Sequence, residues 1–359
     1  PVLIGRRYFL FYRVKADDVK KMDEVRRSLL ITALISLSSV IAVIWYTMDG
    51  EDMIYFTDID LRYIALAIAF HLGSWFMWSS RMKVLTGATG GFISSLTSFK
   101  ILLCSLFAAG ITPSEVGGEP VKIYLLTEEN MSLGDATAIV FTERFLDVIF
   151  LVMISPIGIF VFRDIVLKGS LIIIPVIAVI FFFGVFSVVT MIMFRPDLVK
   201  RIANVTFEFI LRVRKSDLIK NLRRYIDEEI DTFVNSMWSM ARNGYGLVAA
   251  SALTVARWGL ELCIAPLILL AIGSEPYLLY SFAAQILLVV LLLAPITPGG
   301  SGIAELGSTA IFSAFIEGAM VGVFVVVFRL VTYHFNLIVG LVASIVVLKD
   351  MSIIRRFLG

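Results

Sequence analysis

Arg144 and Arg329 stand in otherwise apolar stretches, and each has acids and hydroxyls at helical spacing. The segment TERFLD places Glu143, Arg144 and Asp147 together, with Asp147 four residues after Glu143 and three after Arg144. On a helix the three share one side. The segment FRLVTYH places Arg329 and Tyr333 on a common face at i and i+4, with His334 beside them. Charges inside a bilayer cost at least a few kcal/mol each unless they are paired or hydrated. Such arginines therefore suit an anion, phosphate above all, because the planar fork donates two parallel hydrogen bonds and stays protonated when buried. Neutralisation by Glu143, Asp147, Glu119 or Glu305 is the competing reading. Glu119 and Glu305 are placed to orient the arginines or to meet a cationic group. Lys122 serves either to neutralise a headgroup or to anchor the chain at the interface. Arg257 and Glu261, one turn apart in ARWGLE, are expected to form a structural ion pair. His334 is open between a packed polar residue and a proton carrier.

The elements that hold these residues follow from composition. The 359 residues are 59% hydrophobic and 17% charged, with a mean hydropathy of +0.92. Soluble domains average about 45–50% apolar and about 25% charged, so an ordinary water-soluble enzyme is excluded. A bilayer core about 30 Å thick needs about 20 apolar residues per helix. Runs of that kind fall at 28–48, 61–80, 133–162, 169–194, 245–272 and 320–348. Two more, 92–126 and 277–317, are interrupted by Pro and Gly. The sequence opens on Pro1, and residues 1–27 lack the pattern of a cleavable signal. Cys104 and Cys263 lie in apolar runs and imply neither a disulfide nor a metal site.

Basic residues orient the chain. Eight Lys and Arg fall in 1–27 and ten in 195–243; Arg81 and Lys83 follow the second run, and Lys349, Arg355 and Arg356 close the chain. The loop 49–60 has five acids and no base. All basic clusters reach one side, with both termini cytoplasmic, if neither interrupted stretch makes a net crossing. The expected architecture is an all-α polytopic membrane protein, one membrane domain over 1–359, with about six full spans and two re-entrant broken-helix hairpins. A spanning hairpin is the alternative. Residues 1–27 are expected at the cytoplasmic interface, and 195–243 as an amphipathic helical segment there.

The two interrupted stretches are copies. ILLCSLFAAGITP at 101–113 and ILLVVLLLAPITP at 286–298 share eight of thirteen positions at an offset of 185, and that offset takes Arg144 onto Arg329. Glycines and an acid follow each proline: Gly117, Gly118 and Glu119 in one copy, and Gly299, Gly300, Gly302 and Glu305 after Pro298 in the other. Repeat units 61–162 and 245–348, separated by an odd number of crossings, become an inverted pair. A helix broken within the membrane leaves backbone groups that only protein or a water-filled cavity satisfies. The second half-helix of each hairpin points its positive end inward, toward a phosphate or carboxylate. Alternatively the glycines only make tight turns and close helix contacts.

No P-loop, metal-ligand cluster or nucleic-acid module is present, and no cofactor is implied. The segments GITPSEVGGEPVKIYLL, TERFLD, APITPGGSGIAELG and FRLVTYH, in that order over about 100–335, resemble the flippase-like family that includes the membrane region of lysylphosphatidylglycerol synthase. Lys122 departs from it, because relatives often place Arg there. The resemblance implies translocation of an anionic or phosphate-linked lipid between leaflets, without the synthase domain of the multiple peptide resistance factor. It extends to archaeal relatives in lipid-linked glycan assembly, so the lipid stays open. The leading expectation is a lipid flippase whose headgroup contacts are Arg144, Arg329, Glu119, Lys122, Glu143, Asp147, Pro298, Gly299, Gly300, Gly302, Glu305 and Tyr333. The alternative is a polyprenyl-phosphosugar-dependent glycosyltransferase using Asp49, Glu51 or Asp52 in the acidic loop. A scaffold built on 195–243 is the third. The oligomeric state is open, a homodimer included.

Overall fold

A computed structural model describes residues 58–112, 117–163, 217–292, 299–316 and 318–358, with Ser38, Gly184, Ser187, Met191 and Arg201 as isolated helical residues. The expected spans 28–48 and 169–194, the segment 1–27, the acids Asp49, Glu51 and Asp52, and Pro298 lie outside the described residues, Ser38 and the three isolated residues at 184–191 excepted.

Every regular element among the described residues is helical. In chain order they are α1 (Leu61–Ala88), α2 (Ser95–Gly110), α3 (Gly118–Glu128), α4 (Leu133–Val161), α5 (Asp217–Arg242), α6 (Gly244–Leu262), α7 (Ile264–Ala271), α8 (Leu278–Leu292), α9 (Ile303–Phe312), α10 (Met320–Arg329) and α11 (Phe335–Leu358). A π-helical turn, Leu330–His334, joins α10 to α11. Polar residues set the helix starts. Asp60 accepts from the Arg62 amide, Ser94 from Thr97, Ser132 from Asp135 and Asn243 from Gly246, each satisfying one of the donors that a helix leaves open at its first turn.

Among the described residues, three stretches are long and apolar enough to cross a bilayer: Leu133–Val161, Gly244–Ala271 and Met320–Val347. They coincide with three of the expected spans. The 28-residue α1 is as long, but His71, Ser74, Ser79 and Arg81 on its buried side dilute its apolar character. α2, α8 and α9 are shorter apolar helices. α1 packs along α6 and α7, α11 along α2, and α4 against α5, α8 and α3. One apolar core joins α7–α10 and the start of α1; another joins the rest of α1 to α2–α6.

α5 packs into the protein rather than lying free at a surface. Glu229 accepts a 2.6 Å hydrogen bond from the Gly134 amide at the start of α4, and Ser236 donates to Asp135. Its Val234, Met237 and Met240 are buried. A Cβ on Gly134 would meet the Glu229 carbonyl at 2.5 Å, so the glycine permits the contact.

Polarity is distributed inversely to that of a soluble protein. Arg81, Lys122, Glu143, Asp147, Glu305 and Arg329 are buried, whereas Met153, Phe160, Val248, Ile338 and Ile345 are exposed. Outward apolar faces suit lipid, and inward charges must find partners in the protein.

Candidate functional site

Glu119, in the first turn of α3, and Arg144, midway along α4, form an ion pair. Arg144 Nε donates to Glu119 Oε1 at 2.6 Å, and Nη2 meets the same oxygen. The Arg144 side chain is 42% exposed and that of Glu119 23%. Glu119 Oε2 is buried and accepts no hydrogen bond among the described residues.

Arg329 and Glu305 form a like pair that is closed off. Arg329 Nε donates to Glu305 Oε1 at 2.9 Å, with side chains 6% and 0% exposed. Glu305 Oε2 accepts from the Gly302 amide at 2.6 Å, so both carboxylate oxygens are occupied. The Arg329 guanidinium lies 4.1 Å over the Tyr333 ring and reaches the Gly299 carbonyl at 3.4 Å. Gly299, Gly300 and Gly302 have φ of +56°, +65° and +87°, a left-handed path that glycine takes without steric cost.

The two breaks meet. The Gly299 amide donates to the Thr112 carbonyl at 3.1 Å, and Tyr333 Oη donates to the Gly110 carbonyl at 3.0 Å. A Cβ on Gly299 would lie 2.5 Å from Tyr333 Oη. The π turn carrying Tyr333 inserts an i→i+5 bond, Phe335 amide to Leu330 carbonyl. π segments of this kind recur at functional sites.

A third group of charges ties α1, α3 and α4 to α6. Asp147 accepts from Arg81 Nη1 and Nη2 at 2.8 and 3.0 Å, from Arg257 Nη1 at 2.8 Å and from Trp258 Nε1 at 3.0 Å. Glu143 pairs with Lys122 Nζ at 3.0 Å and Arg81 Nε at 3.4 Å. The Trp78 ring faces Arg257 at 4.0 Å, Lys122 at 4.4 Å and Arg144 at 5.8 Å, a cation–π arrangement that favours keeping these cations there.

The structure thus divides the TERFLD stripe: Glu143 and Asp147 face Arg81, while Arg144 turns to Glu119. Lys122 is buried against Glu143. Arg257 and Glu261 do not pair as expected; Arg257 joins Asp147, and Glu261 accepts from Ser74 and meets His71. His334 Nδ1 lies 3.1 Å from the Arg329 carbonyl. Arg81, assigned from sequence to the basic residues after the second span, is instead buried within α1, which continues to Ala88. Its spacing from Trp75 and Trp78 on one helical side was the signal for a buried position. Trp78, Thr254, Trp258 and the His71–Glu261 contact also escaped sequence reasoning, because their partners lie far away in the chain. Among the described residues no group of three or more His, Cys, Asp or Glu is placed to hold a metal ion.

Apolar outer faces, spanning helices and a paired internal charge system define a multi-pass helical membrane protein. Residues 29–340 match the family described as the lysylphosphatidylglycerol synthase TM region, and the chain belongs to that family. It is 29% identical over 322 residues to a UPF0104 membrane protein of Archaeoglobus fulgidus, covering 88% of this chain and 95% of that one. It is also similar to UPF0104 membrane proteins of Methanocaldococcus jannaschii, 25% identical over 90% of this chain and 96% of the relative, and of Pyrococcus horikoshii, 22% identical over 92% and 99%.

Proposed function

We propose that this protein moves a lipid with an anionic or phosphate-linked headgroup between the leaflets of a cell membrane. The observation that carries the reading is the recurrence of one arginine–glutamate pair in two halves at unequal exposure: Glu119–Arg144 open, Glu305–Arg329 shut. In a transporter built from inverted repeats, a single conformation exposes one half and closes the other. The order α1, α2, α3, α4 in 61–162 and α6–α7, α8, α9, α10–α11 in 245–348 supports such a repeat. Six spans, two re-entrant hairpins and cytoplasmic termini belong to the same proposal.

The headgroup phosphate displaces Glu119 from Arg144, and the α3 N-terminus at Gly117 and Gly118 adds positive partial charge. Lys122, Glu143 and Asp147 hold α3 and α4 in register with α1, and the Lys122 ammonium adds to the positive field. Arg329, Glu305, Tyr333 and the glycine turn at Gly299, Gly300 and Gly302, with Pro298 before it, form the corresponding site of the other state. Lipid tails stay in the bilayer throughout. The family's tie to the membrane region of a phospholipid-making enzyme supports a lipid as the cargo. The chain's sequence holds no P-loop, so transport runs downhill or is coupled to an ion or proton.

The test is transfer of a fluorescent phosphate-bearing lipid across vesicles containing the purified protein. Wild type accelerates transfer, and Arg144→Ala abolishes the acceleration while keeping its fold. Equal transfer by both proteins refutes the assignment.

A further inference from the structure

We propose that His71 and Glu261 form a proton-binding site buried between α1, α6 and α11, loaded and unloaded during transport. The coupling role rests on the transport reading above; the site itself rests on geometry. His71 is 2% exposed. Its Nδ1 lies 3.2 Å from Glu261 Oε2 and its Nε2 2.7 Å from Asn336 Oδ1. Ser74 Oγ donates to the same Glu261 oxygen at 2.7 Å. The Trp75 ring, edge-on at 5.0 Å, and the Phe335 ring at 6.4 Å close the sides. The charged groups acting on the imidazole are Glu261 and Arg257, both from α6; α11 presents the neutral Asn336.

This arrangement satisfies either charge state. An imidazolium donates from both nitrogens, to the Glu261 carboxylate and to Asn336 Oδ1. A neutral imidazole keeps its Nδ1 proton on Glu261 and needs a donor at Nε2, which Asn336 supplies by turning its amide. The proton leaves Nε2 without orphaning a buried nitrogen, the condition for an exchangeable site, and the Glu261 side chain, 26% exposed, gives the pair an open side. A histidine fixed in one role needs no partner that can both donate and accept.

The position links the charge system to the hairpins. Glu261 is one helical turn from Arg257, which binds Asp147. Asn336 directly follows the π turn and Phe335, and that turn bears Tyr333, the residue tying the two breaks together. A proton at His71 therefore acts on the helix that continues from the turn tying the two breaks together.

The chain has two histidines, so 15N-histidine labelling of the full protein in lipid nanodiscs gives two imidazole signals, assigned with His334→Gln. Ring nitrogen shifts are followed from about pH 4 to about pH 9. His71 is expected to change charge state once in that range, with its midpoint displaced by about one unit or more in Glu261→Gln. A single charge state throughout overturns the site, whatever the fate of the variant. In proteoliposomes, wild-type lipid transfer is expected to respond to an imposed pH gradient, with the response lost in Glu261→Gln. A titrating His71 with transfer indifferent to the gradient overturns the coupling role. Titration without any wild-type lipid transfer refutes the transport reading and leaves the proton site standing.

Discussion

Tyr333 reaches across 223 residues of sequence to donate its hydroxyl to the Gly110 carbonyl at 3.0 Å, joining the end of α2 to the π turn after α10. Gly110 is the last residue of α2, where the carbonyls lose their intrahelical partners. The tyrosine satisfies one of them.

Tyr333→Phe leaves that buried carbonyl without its donor and should destabilise the protein by about 1–3 kcal/mol. Gly299→Ala should lower the melting temperature further. Its φ of +56° costs an L-residue about 1–2 kcal/mol, before the 2.5 Å approach of its Cβ to Tyr333 Oη is relieved. Thermal unfolding of both variants in one detergent checks the order.

The two arginines should separate in their effect on stability. Arg329→Ala strands Glu305 inside the protein, a loss of about 3–5 kcal/mol for a buried pair. Arg144→Ala breaks a pair with a 42% exposed arginine, where about 1 kcal/mol or less is expected. Equal losses in thermal or denaturant unfolding would contradict the open–shut distinction.

Asp147→Asn removes the counter-ion shared by Arg81 and Arg257. A loss of about 3–5 kcal/mol is expected, the range for an uncompensated buried charge. Asp147→Glu keeps the charge and should recover part of it. Size-exclusion profiles and melting curves of the two variants make the comparison.

Asp60 offers a pH test at the start of α1. The hydrogen bond and charge of Arg62 hold its carboxyl below the usual range. A carboxylate depressed in the folded state contributes its stabilisation above its unfolded pKa and loses it as pH falls through the folded one. Amide exchange at Leu61–Tyr63, corrected for intrinsic rates, should therefore rise only in acid. In Asp60→Asn, which caps without a charge, exchange should become independent of pH.

The membrane class, three spans and the arginine-bearing segments were legible in the sequence because they depend on local hydropathy and on spacing along one helix. Glu119 and Glu305 were legible as acids within reach of the arginines, to orient or neutralise them or to meet a cationic group, and the ion pairs alone do not choose a role. Pairing between distant helices was not. Arg81 looks like a flanking cation until its partner Asp147, 66 residues away, is known. Glu261 lies four residues from Arg257, yet its contact is His71 on another helix, 190 residues away. Helical spacing supplies neighbours on one helix; which neighbour a buried charge takes is decided by the packing of α1 against α6.

The central claim is that Arg144 holds the phosphate of a lipid. Mass spectrometry of lipids copurifying with wild type, Arg144→Ala and the Arg144→Ala/Arg329→Ala variant tests it directly. A phosphate-bearing lipid is expected to be enriched over bulk membrane on wild type and absent from folded Arg144→Ala. The same bulk lipid on all three proteins would contradict it and make both arginines structural.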